Sequence, residues 1–239
     1  MMTEELFRED AQLLSCQARV LRHDTQGLLL DRTVCYPQGG GQAGDMGRIS
    51  LADGRVLALV DTRKGAASGE ILHLLDEASQ APMLPAGTVV QVAVDAARRR
   101  AHMRFHTATH LLCALVPYPV DGCSITQSYA RLDFHTDQPL DKTSLTEGIA
   151  RLVGLARAVH HRWISEAELD DNPQLVRSMS VQPPRGMGRV RLLDIAGIDL
   201  QPCGGTHVSN TSEVGAVVVT KIEKKSAMTR RVVLGFAAE

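Results

Sequence analysis

Residues 88–116 read TVVQVAVDAARRRAHMRFHTATHLLCALV, and in this stretch the hydrophobic period changes. Up to Val94 the apolar residues alternate as in a half-buried strand. After Asp95 they recur at helical spacing and carry on to Val116. A strand-rich segment should therefore end near residue 95 and a helix should begin at 96. We expect two domains, 1–95 and 96–239, within the 239-residue chain.

Upstream of the change the chain reads as β structure with few helical segments. Residues 14–20, 27–30 and 71–75 look like strands. Residues 49–51 and 56–60 flank Ala52-Asp53-Gly54, a hairpin signal, and 81–87 read as a loop. Short strands joined by Gly and Asp turns predict a small β-barrel. Downstream, Leu145, Ile149, Leu152, Leu155 and Val159 lie on one side of a helix expected over 142–162. Strands are expected at 120–135, 188–195, 198–202, 214–222 and 231–236, with a turn at Ala196-Gly197. The predicted fold class is α+β: a barrel followed by a domain of helices and antiparallel sheet.

The helix at 96–116 carries His106-Thr107-Ala108-Thr109-His110, and about 100 residues later comes Cys203-Gly204-Gly205-Thr206-His207. Each motif spaces two metal-ligand residue types at i and i+4, which a helix brings onto one face. Three imidazoles and one thiolate suit a tetrahedral Zn²⁺. Thr107 stands where a zincin has its general-base Glu, so a peptidase reading fails. Gly204 and Gly205 would let Cys203 and His207 converge by adopting backbone conformations closed to other residues. With all four ligands bound the site is closed and structural; with one displaced it is open to Lewis-acid chemistry. His102 extends the helical series by one turn and is either a further pocket residue or a helix-surface histidine.

The stretch YPQGGGQAGDMG at 36–47 allows close backbone approach to a ligand and exposes N–H donors. It lacks the Lys-Ser/Thr ending of a P-loop and lies between β segments, which argues against a dinucleotide fingerprint. Gln42 and Asp45 within it can hydrogen-bond a ligand. Arg98, Arg99, Arg100 and Arg104 adjoin one half of the ligand set, and Lys221, Lys224, Lys225, Arg230 and Arg231 follow the other. Such clusters suit a phosphate backbone leading to a pocket. Asp133 is either support for a ligand histidine or an edge-strand charge.

Composition narrows the classes. Net charge is −1, so a nucleic-acid partner would be held by local patches, and 3% aromatic residues argue against base stacking as the main binding mode. No stretch approaches the roughly 20 apolar residues of a membrane span. The N-terminal MMTEELFREDAQLL has no signal-peptide pattern, and five widely spaced cysteines read as reduced thiols, so a cytoplasmic location is expected.

HTATHLL and QPCGGTH at this separation resemble the editing domain of alanyl-tRNA synthetase and its free-standing AlaX-type relatives; the editing domain of threonyl-tRNA synthetase shares the ligand pattern. YPQGGGQAGDMG, RRRAHMRFHTATHLL, ARLDFH and CGGTHVSNTSEVG match the medium-length AlaX class in order. Ser226-Ala227-Met228 departs from the glycine-containing turn of that pattern. The resemblance implies an elongation-factor-like barrel, an α+β editing domain, and hydrolysis of the ester joining a wrong amino acid to tRNA(Ala). Serine is the main expected residue, with glycine second. It also implies Zn²⁺ on His106, His110, Cys203 and His207, and places Gly39, Gly40, Gly41 and Gln42 near the tRNA end; from the flanking basic clusters, Arg98, Arg99, Arg104, Lys224, Lys225, Arg230 and Arg231 are the candidate tRNA contacts. Thr109 and His102 are the candidate catalytic residues, with Thr107 and the 122–135 strands as further candidates for reading a serine hydroxyl. An aminoacylation domain would not fit in 239 residues, which suggests a free-standing protein. A tRNA-binding module with a structural zinc, a small-molecule metallohydrolase and a detached piece of a synthetase are the alternatives.

Overall fold

A computed structural model describes residues 2–76, 82–177, 186 and 188–237. The chain divides into two compact units, Met1–Gly39 with Ala43–Arg100, and Gly40–Gln42 with Ala101–Glu239.

The first unit runs β1 (Glu4–Glu5), α1 (Leu6–Glu9), β2 (Ser15–Asp24), β3 (Gly27–Leu30), β4 (Arg32–Thr33), β5 (Gly47–Leu51), β6 (Val56–Lys64), β7 (Ile71–Leu75) and β8 (Val89–Val94). Strands β2-β3-β7-β6-β5-β8 form a closed antiparallel barrel, with β8 pairing back to β2 from Ser15↔Ala93 to Arg19↔Val89. Period-two alternation decides what fills it. Val90, Val92 and Val94 of β8 pack with Leu57 and Leu59 of β6, Ala18 and Val20 of β2, and Ile49 of β5. The β5–β6 hairpin turns as expected at Ala52-Asp53-Gly54, where Gly54 takes φ +88°. Ala81, the first residue of the loop expected at 81–87, lies outside the described residues. So do Pro183, Pro184 and Met187, for which the sequence offers no family correspondence.

Helix α2 (Ala96–Leu115) follows. The second unit continues with β9 (Val120–Ile125), β10 (Ala130–His135), α3 (Lys142–Gly154), β11 (Val159–Ser165), α4 (Glu166–Asp170), β12 (Arg189–Ile195), β13 (Asp199–Pro202), β14 (Val217–Ser226) and β15 (Thr229–Phe236). Two antiparallel sheets result, β14-β15-β10-β9 and β11-β12-β13. The protein is thus α+β. Asp141 caps α3 by accepting from the Ser144 N–H at 2.7 Å, and Leu145, Ile149 and Leu152 form its buried face. Among the described residues no helix is long and apolar enough to cross a membrane.

One expectation is corrected. The helix predicted over 142–162 ends at Gly154, and Val159 begins β11, opposite Ile195 of β12. The chain reverses at Ala156, which takes φ +49°. Leu155 and Val159 fit a helical face by spacing, but Val159-His160-His161-Arg162-Trp163-Ile164 is drawn into a sheet by pairing along β12.

Candidate metal centre

His106 and His110 sit one turn apart on α2, both buried, with ring centroids 5.5 Å apart. The partner motif follows β13. Cys203 donates its N–H to Arg191 O at 3.0 Å, which continues the strand pairing past Pro202. The Arg191 guanidinium then donates to Cys203 O at 2.9 Å and Gly205 O at 3.2 Å, clamping the turn. The result brings one ligand atom each from His106, His110, Cys203 and His207 to within 4.8 Å of one another. Cys203 Sγ lies 3.5 Å from His106 Nε2 and 3.2 Å from His207 Nε2. A tetrahedral zinc with ordinary bond lengths sets this S···N edge at about 3.6 Å.

Each histidine is also held by its other nitrogen. His106 Nδ1 is 2.8 Å from Gln42 Oε1, His110 Nδ1 is 2.7 Å from Asp199 Oδ2, and His207 Nδ1 is 3.2 Å from Thr107 Oγ1. Protein oxygens on Nδ1 leave Nε2 to face the centre, the arrangement a metal-binding imidazole requires. Asp199 is itself held by Gln201 Nε2, which donates to both carboxylate oxygens at 2.8 and 2.9 Å. The residues present therefore fit a thiolate- and imidazole-bound metal ion.

The electrostatics favour ligation at Cys203 and His207, whereas at His110 they favour a proton that a metal ion would have to displace. Burial opposes ionisation of the Cys203 thiol, yet His106 and His207 beside it hold it well below its ordinary value, toward thiolate. Burial also disfavours charge on His110, but hydrogen bonds to Asp199 and Cys203 raise it to about 10. Burial lowers His207 to about 3, keeping it neutral and able to ligate. By contrast, burial pushes the Cys35, Cys113 and Cys123 thiols up to about 12, where they are inert.

The glycines of CGGTH work differently from expectation. Neither Gly204 nor Gly205 takes a positive φ. Gly205 is required for space: a Cβ there would overlap the His106 ring and come within 3.0 Å of Gln42 Oε1.

Among the other predicted site residues, Gly40, Gly41 and Gln42 group with the metal-ligand unit, whereas Gly39 lies with the barrel. Gly41 takes φ +86°, and a Cβ on it would press on Cys123. Asp45, offered by the sequence as a ligand-binding group, accepts from the Tyr36 N–H at 2.6 Å and pairs with Arg99, both groups being fully buried. Arg98 donates to Gly44 O at 3.2 Å. The Arg104 guanidinium lies 4.1 Å over the Phe236 ring and donates to Val214 O at 2.8 Å. Arg230 is buried and turned onto the carbonyls of Ser226, Ala227 and Asp137. Arg231 pairs with Asp133 at 2.7 Å, and Lys224 and Lys225 are exposed. Asp133 also pairs with Arg131 and lies on β10, an inner strand between β15 and β9, so it is neither a histidine partner nor an edge charge. Thr109 donates to its own helix carbonyl, His106 O, at 2.7 Å. His102 is fully buried one turn before His106 but is not among the four clustered ligands.

Asp199, Gln201 and Arg191 were missed by the sequence reading. The available signal was the alternation Asp199, Gln201, Cys203, which places all three on one face of a strand.

Residues 190–233 match the model for the threonyl and alanyl tRNA synthetase second additional domain. The chain is 31% identical over 238 residues to an alanyl-tRNA editing protein AlaX-M of Methanosarcina barkeri, covering 96% of this chain and 97% of that one. It is 30% identical over 235 residues to an AlaX-M of Saccharolobus solfataricus, covering 97% and 98%. It is also 33% identical over 234 residues to an alanine–tRNA ligase of Sulfurisphaera tokodaii, where it spans 25% of the longer protein.

Proposed function

Because the chain belongs to the AlaX-M family of alanyl-tRNA editing proteins, we propose that it hydrolyses mischarged tRNA(Ala) in the cytoplasm, releasing serine foremost and glycine second. The observation that carries this reading is the four-ligand cluster with every imidazole anchored through Nδ1. Editing has a physical motive. A pocket built for alanine rejects one added hydroxyl poorly, so a second site must remove what the first admits.

In this reading His106, His110, Cys203 and His207 hold one Zn²⁺ per chain. A Zn²⁺ held there would supply Lewis-acid polarisation once one of the four protein ligands gives up its position. Gln42, Asp199 and Thr107 keep the three imidazoles in register. Water adds its oxygen to the ester carbonyl carbon, the bond from that carbon to the ribose oxygen breaks, and the ribose oxygen takes up a proton. Thr109 and His102, on the ligand helix, are the candidates for contact with the aminoacyl group. Exposed Lys224 and Lys225, together with Arg231, supply positive charge for the phosphate backbone. In this reading the domain at 96–239 carries the metal centre and the ester cleavage, and the barrel at 1–95 is a separate domain.

The test is a deacylation assay on Ser-tRNA(Ala) and Ala-tRNA(Ala), with wild type, chelator-stripped protein and Cys203→Ala. Selective serine release, lost on stripping and in the variant, is the expected result. A second reading draws on the same cluster, since four protein ligands complete a tetrahedron in the manner of a structural zinc. It predicts tRNA binding without ester cleavage, and that outcome would replace the first reading.

A further inference from the structure

We infer that Gln42, in the glycine-rich loop, is a positioning residue for the metal ligand His106 and not a contact for tRNA. This rests on the reading of the four residues as a metal-ligand set. Gln42 is completely buried, although it sits in a loop whose composition suggests ligand contact. Its amide makes three hydrogen bonds. Oε1 accepts the Thr206 backbone N–H at 3.2 Å and lies 2.8 Å from His106 Nδ1; Nε2 donates to Thr206 Oγ1 at 2.9 Å.

These bonds determine a tautomer. A backbone N–H can only donate, so the amide atom facing Thr206 N is the oxygen. The same oxygen meets His106 Nδ1, so Nδ1 carries the hydrogen. The lone pair of a neutral His106 is then on Nε2, the nitrogen 3.5 Å from Cys203 Sγ. One side chain thereby sets both the tautomer and the ring orientation of a ligand.

The glycines beside Gln42 have a matching role. Gly41 accepts the Ile125 N–H at 2.7 Å, and Gln42 forms a parallel bridge with Ile125 of β9. Gly41 lies against Cys123 so closely, and in so left-handed a conformation, that a side chain there would displace the loop tip. The loop tip is thus pinned to β9 while its glutamine is delivered to His106.

The test measures Zn²⁺ affinity of the full chain by chelator competition, for wild type, Gln42→Leu and Gln42→Glu, with far-UV circular dichroism confirming that each folds. Q42L removes the acceptor and should weaken Zn²⁺ binding by about 10- to 100-fold. Q42E keeps an oxygen on Nδ1 but loses the donation to Thr206, and should restore affinity to near wild type. In the zinc-loaded protein, nitrogen NMR of His106 should show an Nδ1–H tautomer in wild type and Q42E. Equal affinity in wild type and Q42L overturns the inference and leaves the ligand set standing. Q42E as weak as Q42L also overturns it, because the amide would then serve packing alone. A wild type that binds no Zn²⁺ overturns the ligand reading itself, and this inference with it.

Discussion

Gly205 shows how a single hydrogen atom in place of a side chain can build a site. Its Cα lies against the His106 ring, so a methyl group would drive the imidazole away from Cys203 and disturb Gln42 Oε1. Gly205→Ala should therefore weaken Zn²⁺ binding by about 10- to 100-fold, the scale of losing an orienting contact. Gly154→Ala, at the end of α3 where a Cβ meets nothing within 4 Å, should leave metal affinity unchanged. Chelator competition on the two variants checks both; equal affinities would show that the ring tolerates displacement. His106 and His110 were legible as a pair because i and i+4 positions have one geometric meaning on a helix, whereas Cys203 and His207 converge in a non-helical turn after β13 and were legible only from their residue types. The role of Gly205 was not, because steric exclusion depends on a ring more than ninety residues away in the chain.

At the scale of elements, the barrel was readable and the end of α3 was not. Alternating Val90, Val92 and Val94 state their inward face directly, whereas the segment from Val159 onward was settled by pairing with β12. The barrel also carries a pH response. His73 of β7 is fully buried and neutral, with Thr33 Oγ1 2.7 Å from its Nε2 and Leu28 O 3.0 Å from its Nδ1. Burial lowers it to about 4, although the Leu28 bond works the other way. The unfolded chain takes up this proton near pH 6.5, well before the folded barrel does. Stability from His73 is thus complete above about pH 7 and is lost as pH falls toward about 4, by about 3 kcal/mol in all. Urea unfolding of metal-free protein between pH 7 and pH 4.5, followed by circular dichroism, should show that decline in wild type and a shallower one in His73→Gln. Parallel slopes would assign the acid sensitivity to other groups.

For the whole molecule, a net charge of −1 means that no overall field draws in a polyanion, and local cations must do it. Arg99 and Arg230 are consumed internally, while Lys224 and Lys225 stay exposed on β14. Lys224→Ala with Lys225→Ala should weaken tRNA binding and make the slope of log affinity against log salt shallower by about 1 per lysine. An unchanged slope in filter-binding titrations would remove these lysines from the interface. Sequence by itself determined the α+β class, the alternating barrel strands, the helix that carries His106 and His110, and the four residues that cluster as candidate ligands, because each follows from local periodicity or from the chemistry of a short motif. Only tertiary structure decided that Asp199, Gln42 and Thr107 hold the imidazoles, that Arg99 and Asp45 serve each other, and that α3 stops at Gly154. Those outcomes depend on which distant groups meet in a buried place, where every polar atom needs a partner and every ångström of space is contested.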